Sequence, residues 1–202
     1  MIDSEKIYWE VGREIAGEFG KEVSDRTLGR MMGRSPLDSV AIFAQDLGLT
    51  ESPRTLLELR EARVKRVLQQ GVDPMPGLLE MLPRLKGAYK LAIATSAPRY
   101  LVDIILGVLK IGHYFDAIQT SDDVTSGKPD PEIYLKAMAK LGTKPSECVV
   151  LEDSSNGALA GKRAGAFVIA VPSQYTRDQD FSFADAVATN LLDAAGRIPV
   201  TQ

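Results

Sequence analysis

The sequence predicts an α/β fold, a parallel sheet flanked by helices, preceded by a small all-helical segment. Up to about Gly71 the apolar residues recur at helical spacing with no alternating run; a glycine and proline cluster follows at 71–77; beyond it short apolar strands alternate with helical stretches. With 202 residues the chain can bury a proper hydrophobic interior, so disorder is not expected.

In the first segment Ile7, Val11 and Ile15, then Val40, Phe43 and Ala44, then Leu56, Leu57 and Val64 mark apolar helix faces. Loop signals at Gly20, at Gly33 to Pro36 and at Gly48 to Pro53 divide it into about four helices. The stretch Gly71-Val72-Asp73-Pro74-Met75-Pro76-Gly77 suits a hinge, which places a helical domain at 3–73 and an α/β domain at 74–202. In the second domain strands are expected at Leu91–Ala94, Ala117–Gln119, Cys148–Leu151 and Ala166–Val171, separated by helices near 98–110, 131–141 and 156–164. Continuous apolar runs such as Val149-Val150-Leu151 imply strands covered on both faces. Ligands of such parallel sheets sit at the C-terminal ends of the strands.

Composition narrows the function. There are 24 Lys and Arg against 27 Asp and Glu, with no long basic run, so nucleic acid is not an expected partner. Cys148 is the only cysteine, which rules out an intramolecular disulfide and a cysteine-rich metal site and suits a reducing, cytoplasmic setting. No stretch approaches the ~20 apolar residues of a membrane span, and the N-terminus lacks the apolar block of a signal peptide. A soluble monomer without a membrane partner is expected.

Polar residues gather after the strands. Thr95-Ser96 follows the first, Lys128 lies in Ser126-Gly127-Lys128-Pro129-Asp130-Pro131, and Glu152-Asp153 follows the third, trailed by Ser154-Ser155-Asn156-Gly157. On a parallel sheet these positions converge on one rim. Glu152 and Asp153 are hard oxygen ligands of the kind Mg²⁺ takes, Lys128 can offset phosphate charge, and Thr95 with Ser96 can donate to a phosphate oxygen. Each also has a plainer role: Thr95-Ser96 as a helix N-cap, Glu152-Asp153 as a solvated turn, Lys128 as a surface lysine. His113 and Cys148 read as structural. Trp9 reads as a packing residue on its helix, with a substrate contact as the alternative. Arg34, in Gly33-Arg34-Ser35, is either part of a plain turn or a cation for a distal phosphate or sugar.

Thr95, the Gly127-Lys128-Pro129-Asp130-Pro131 segment and Leu151-Glu152-Asp153-Ser154 resemble the second, third and fourth motifs of the haloacid dehalogenase superfamily. Pro76-Gly77 and the N-terminal helices are similar to its sugar-phosphatase and β-phosphoglucomutase branch. The resemblance implies a Rossmannoid parallel-sheet core with a small helical cap that closes over the substrate. It also implies an Mg²⁺-dependent phosphatase of a small phosphorylated metabolite, a sugar phosphate, working through an aspartyl-phosphate intermediate. Thr95 and Lys128 would be catalytic, Thr95, Ser96, Lys128 and Arg34 would bind substrate, and Glu152 and Asp153 would hold the metal.

The family's first motif, an Asp-x-Asp loop after the first core strand, should precede Ile2-Asp3-Ser4-Glu5. The first core strand and the nucleophile are therefore expected to be missing from the given chain, with a gap between the strands that end at Thr95 and Glu152. Mutases of this branch carry a histidine in the first cap helix, where this chain has Tyr8, and that counts against a mutase. A non-catalytic remnant stays open. A signalling receiver domain fits poorly, because its acidic pair comes first and its lysine last.

Overall fold

The computed structural model describes residues 1–32 and 34–199. The chain divides into two compact units, Asp3–Val72, and Asp73–Gln202 joined by Met1–Ile2.

The first unit consists of α1 (Ser4–Glu18), α2 (Asp25–Met31), α3 (Pro36–Leu47) and α4 (Pro53–Gln70). Each begins at a residue whose short side chain accepts a backbone N–H of the first turn: Asp3 from Lys6, Ser24 from Thr27, Ser35 from Asp38 and Ser52 from Thr55. Proline at the first helical position of α3 and α4 adds a preset φ where no N–H is needed. Helix α3 stops at Gly48, whose φ of 64° is open to glycine at little cost. Val11, Ile15, Leu28, Val40, Phe43, Leu56, Val64 and Leu68 are buried, and α1 and α3 both pack on α4. The apolar faces read from the sequence are the faces that pack.

In the second unit α5 (Leu78–Lys86) leads into β1 (Ala92–Ala94), α6 (Arg99–Leu109) and β2 (Ala117–Gln119). Then come α7 (Glu132–Leu141), β3 (Val149–Glu152), α8 (Ser155–Arg163), β4 (Phe167–Ala170), β5 (Ala186–Val187) and α9 (Leu191–Gly196). The predicted strands are present within a residue or so at each end. Helix α5 has no counterpart in the sequence reading: Pro83 stands inside it and breaks the usual helix signal, yet Leu78, Met81 and Leu82 bury one face. Met1 and Ile2 join this unit through Met75 N–H donating to Met1 O at 2.8 Å and an antiparallel bridge from Ile2 to Pro74.

All strand pairings are parallel, but they form two sheets, β1-β2 and β3-β4-β5. No ladder joins β1 to β3 among the described residues. Side chains bridge where the backbone does not. Ala94 packs into the cluster of Ile133, Tyr134 and Val150, and Leu151 into that of Leu78, Ile93 and Val102. The gap expected between the strands ending at Thr95 and Glu152 is thus a break in hydrogen bonding, spanned by apolar contact.

Candidate active site

The C-terminal ends of β1 and β3 meet through one side chain. Lys128 projects from the loop between β2 and α7; its Nζ donates to Ala94 O at 3.0 Å, the last residue of β1, and to Glu152 Oε1 at the end of β3. Both side chains are close to fully buried, at 10% and 8% exposed. Lys128 also lies 4.9 Å from the centroid of the Tyr134 ring. A buried ion pair of this kind survives only when its remaining hydrogen-bonding capacity is met.

For Glu152 it is met in full. Glu152 Oε1 accepts from Lys128 and from the Tyr134 hydroxyl at 2.5 Å, and Oε2 accepts from Ser154 N at 3.3 Å and Ser154 Oγ at 3.1 Å. Those four donors match the acceptor positions of a carboxylate. Burial pushes the Glu152 carboxyl up, but the Lys128 charge and these donors outweigh it and hold the carboxyl below its ordinary value. The same Ser154 Oγ caps α8 by accepting from Gly157 N at 3.2 Å. Gly157 has to be glycine for a spatial reason, since a Cβ there would stand 2.2 Å from the Glu152 carboxylate.

Asp153 differs from its neighbour. It is solvent-facing, while desolvation by the surrounding protein and then the Glu152 charge push its carboxyl up; Lys128 pulls the other way. A carboxylate destabilised by an adjacent like charge is one that a divalent cation would relieve. As a magnesium site the donor set therefore fits through Asp153, with Glu152 fully engaged by protein donors behind it. Among the described residues no three Asp, Glu, His or Cys side chains group as a cation cage. Mg²⁺ does not demand one, because it keeps waters and phosphate oxygens in its shell.

Thr95 follows β1 directly. Its N–H donates to Gln119 O at 3.0 Å, and its Oγ1 accepts from Ala97 N at 3.2 Å, closing a local turn. The N-cap role does not hold. Helix α6 is capped at Pro98, and the N–H of Arg99 is met at 3.0 Å by Asp122 from the loop after β2. Ser96 is exposed beside Thr95. The geometry thus brings Thr95, Lys128, Glu152 and Asp153 to the C-terminal ends of β1 and β3. Another cleft is lined by Arg99, Asp116, Ile118 and Lys140, none of them a residue of this set, and its cations stand among Asp103, Asp116 and Asp123.

Arg34 sits in the helical unit, in the exposed bend between α2 and α3, its N–H donating to Met31 O at 3.3 Å; its neighbour Gly33 is outside the described residues. A second arginine of that unit escaped the sequence reading. Arg60 of α4 lies 5.5 Å from the Tyr8 ring centroid, donates to Ser39 Oγ and to Pro36 O at 3.4 Å, and lines a small apolar pocket with Gly12, Val40 and Phe43. Only its position within the apolar period of α4 could have marked it. Burial raises the Tyr8 hydroxyl above its ordinary value. Trp9 carries Arg13 against its ring, and His113 stacks on Tyr114 at 4.1 Å.

The profile of the haloacid dehalogenase-like hydrolases matches residues 1–171. The chain belongs to that family. This haloacid dehalogenase-like hydrolase is 34% identical over 166 residues to a phosphorylated carbohydrates phosphatase of Thermotoga maritima, covering 82% of this chain and 77% of that one. It is 35% identical over 178 residues to protein CbbY of Rhodobacter capsulatus, covering 84% and 78%. Among solved structures, CbbY from Rhodobacter sphaeroides in complex with phosphate superposes with a TM-score of 0.81 at 24% identity, covering 94% of this chain and 89% of that one. That likeness establishes the shared fold, a mixed α/β architecture with parallel pairing.

Proposed function

We propose that the protein is a phosphatase of small phosphorylated metabolites, sugar phosphates foremost, working with Mg²⁺ at the rim where β1 and β3 end. The observation that carries the proposal is Lys128, a buried cation fixed between Ala94 O and Glu152, with solvent-facing Asp153 beside it. Phosphoryl transfer asks mainly for positioning and charge neutralisation, and this constellation supplies both. The names of the relatives support the substrate class. An aspartyl-phosphate intermediate enters the proposal through the family resemblance, its aspartate belonging to the Asp-x-Asp segment that the resemblance places ahead of Ile2-Asp3-Ser4-Glu5 and not to the sequence given.

The roles of this chain's own residues follow from their surroundings. Lys128 offsets negative charge on the transferring group, and Glu152 keeps it aimed. Thr95 and Ser96 offer hydroxyls to phosphate oxygens. Asp153 would hold the metal, which when bound supplies Lewis-acid polarisation of a phosphate oxygen. Arg34 of the helical unit enters the proposal, through the family resemblance, as a candidate cation for a distal phosphate or sugar. Tyr8, its hydroxyl held protonated, is a poor proton shuttle, which favours a phosphatase over a mutase.

Hydrolysis of a panel of sugar phosphates, with Mg²⁺ and with excess chelator, tests the proposal. With the family's Asp-x-Asp segment joined upstream of Ile2, turnover should need the metal and should be nearly abolished in Asp153→Asn. Full activity in chelator would refute it. Binding of Mg²⁺ and phosphate without turnover would identify the non-catalytic remnant instead.

A further inference from the structure

The loop that carries Lys128 is closed by a residue outside the rim. It leaves the stretch after β2 at Thr125 and enters α7 at Glu132, and one carboxylate closes it. Glu132 Oε2 accepts from Thr125 N at 2.9 Å, Thr125 Oγ1 at 2.8 Å and Ser126 N at 2.8 Å. Its other oxygen accepts from Lys136 Nζ at 2.6 Å. In return Glu132 N donates to Asp130 Oδ1 at 2.9 Å. The loop is tightened within by Asp130 N donating to Gly127 O at 3.0 Å and from outside by Arg163 donating to Pro129 O at 3.0 Å. Within it the Lys128 side chain is buried, at 10% exposed.

We infer that Glu132 is a positioning residue for Lys128: by gathering the N–H groups of Thr125 and Ser126 it fixes the loop so that the ammonium reaches Ala94 O and Glu152. The surroundings agree with a permanently ionised clamp. Lys136, the backbone and the Thr125 hydroxyl hold the Glu132 carboxyl down at about 2, so it stays charged wherever an enzyme of this kind would work. Loss of the clamp frees both ends of a loop rich in glycine and proline, and Lys128 then leaves its two acceptors. The inference deepens the proposed function and rests on it only for what Lys128 binds.

Residue-resolved labelling of lysines by trinitrobenzenesulfonate, read by mass spectrometry, tests it on the whole chain. In the wild type, buried Lys128 should label more slowly than exposed Lys140. In Glu132→Ala, Lys128 should label severalfold faster while Lys162, ion-paired to Asp185, keeps its rate. Glu132→Gln, which preserves the side-chain volume and so the fold, should fall between, and Glu132→Asp should recover part of the protection. Unchanged Lys128 labelling in both Glu132→Ala and Glu132→Gln would overturn the inference, and so would a rise shared equally by Lys162, which would mean general loosening. Inorganic phosphate is the second probe: Glu132→Gln should bind it on the order of tenfold more weakly, as for other groups that orient a ligand-binding residue. A wild type that binds no phosphate would count against the phosphatase proposal, while the labelling still decides the role of Glu132.

Discussion

The helical unit and the rim of the α/β unit solve the problem of charge in opposite ways. In the helical unit the ion pairs lie outside: Arg63 pairs with Glu14 and Glu18, Arg66 with Glu14 and Arg30 with Asp46, all at least partly in water. Such pairs contribute little, and the unit rests on its apolar faces and four side-chain caps. At the rim the charge is inside. Lys128 and Glu152 are buried together, and every acceptor position of Glu152 is used. An arrangement that costly in desolvation is weak evidence of stability for its own sake and points to a requirement for charge at that place.

The contrast can be broken most sharply at Lys128. Lys128→Met should leave Glu152 buried without its cation and cost about 3–5 kcal/mol, read as the midpoint shift in urea unfolding. A cost under ~1 kcal/mol, the scale of a surface pair, would erase the distinction between the two regions. Gly157→Ala comes next. The added Cβ would meet the Glu152 carboxylate at 2.2 Å, so a loss of about 1–3 kcal/mol is expected from overpacking, together with a disturbed Lys128 contact. In the helical unit the matching perturbation is local. Ser52→Ala removes the acceptor for Thr55 N and should cost about 1 kcal/mol, with no effect on phosphate binding at the rim.

The smallest effect is one of pH. The Glu132 carboxyl falls from an ordinary 4.5 to about 2 in the folded protein. A depressed acid contributes stability that is complete above its unfolded value and is lost as pH falls through the folded one. The contribution of the clamp should therefore hold at neutral pH and fade between about 4.5 and 2. Comparing the acid unfolding of Glu132→Gln with that of the wild type checks this, since the variant should lack that part of the pH dependence.

What was legible in the sequence follows the same division. Helices declare themselves locally, and the helical unit reads directly from Gly20, Pro36, Gly48 and Pro53 with its apolar periods. Helix α5 was hidden by Pro83, and β5, with Ala186–Val187 alone, is too short to show a period. At the rim, Thr95, Lys128, Glu152 and Asp153 were legible because each follows a recognisable strand or lies between glycine and proline. Their helpers were not. Tyr134 looks like one more apolar residue on the buried face of α7, and nothing local shows that its hydroxyl meets Glu152, eighteen residues on. Glu132 reads as an ordinary acidic residue in a first helical turn. Its ties to Thr125 and Ser126 appear only when the loop is closed in three dimensions.

Phosphate is proposed to bind where Lys128 joins the ends of β1 and β3. The most direct measurement is a crystal structure of the protein grown with Mg²⁺ and inorganic phosphate. The anion is expected within hydrogen-bonding reach of Lys128 Nζ and the Thr95 hydroxyl, with the metal on Asp153. A well-ordered phosphate elsewhere, with Lys128 still closed on Ala94 and Glu152 and the rim empty, would contradict it.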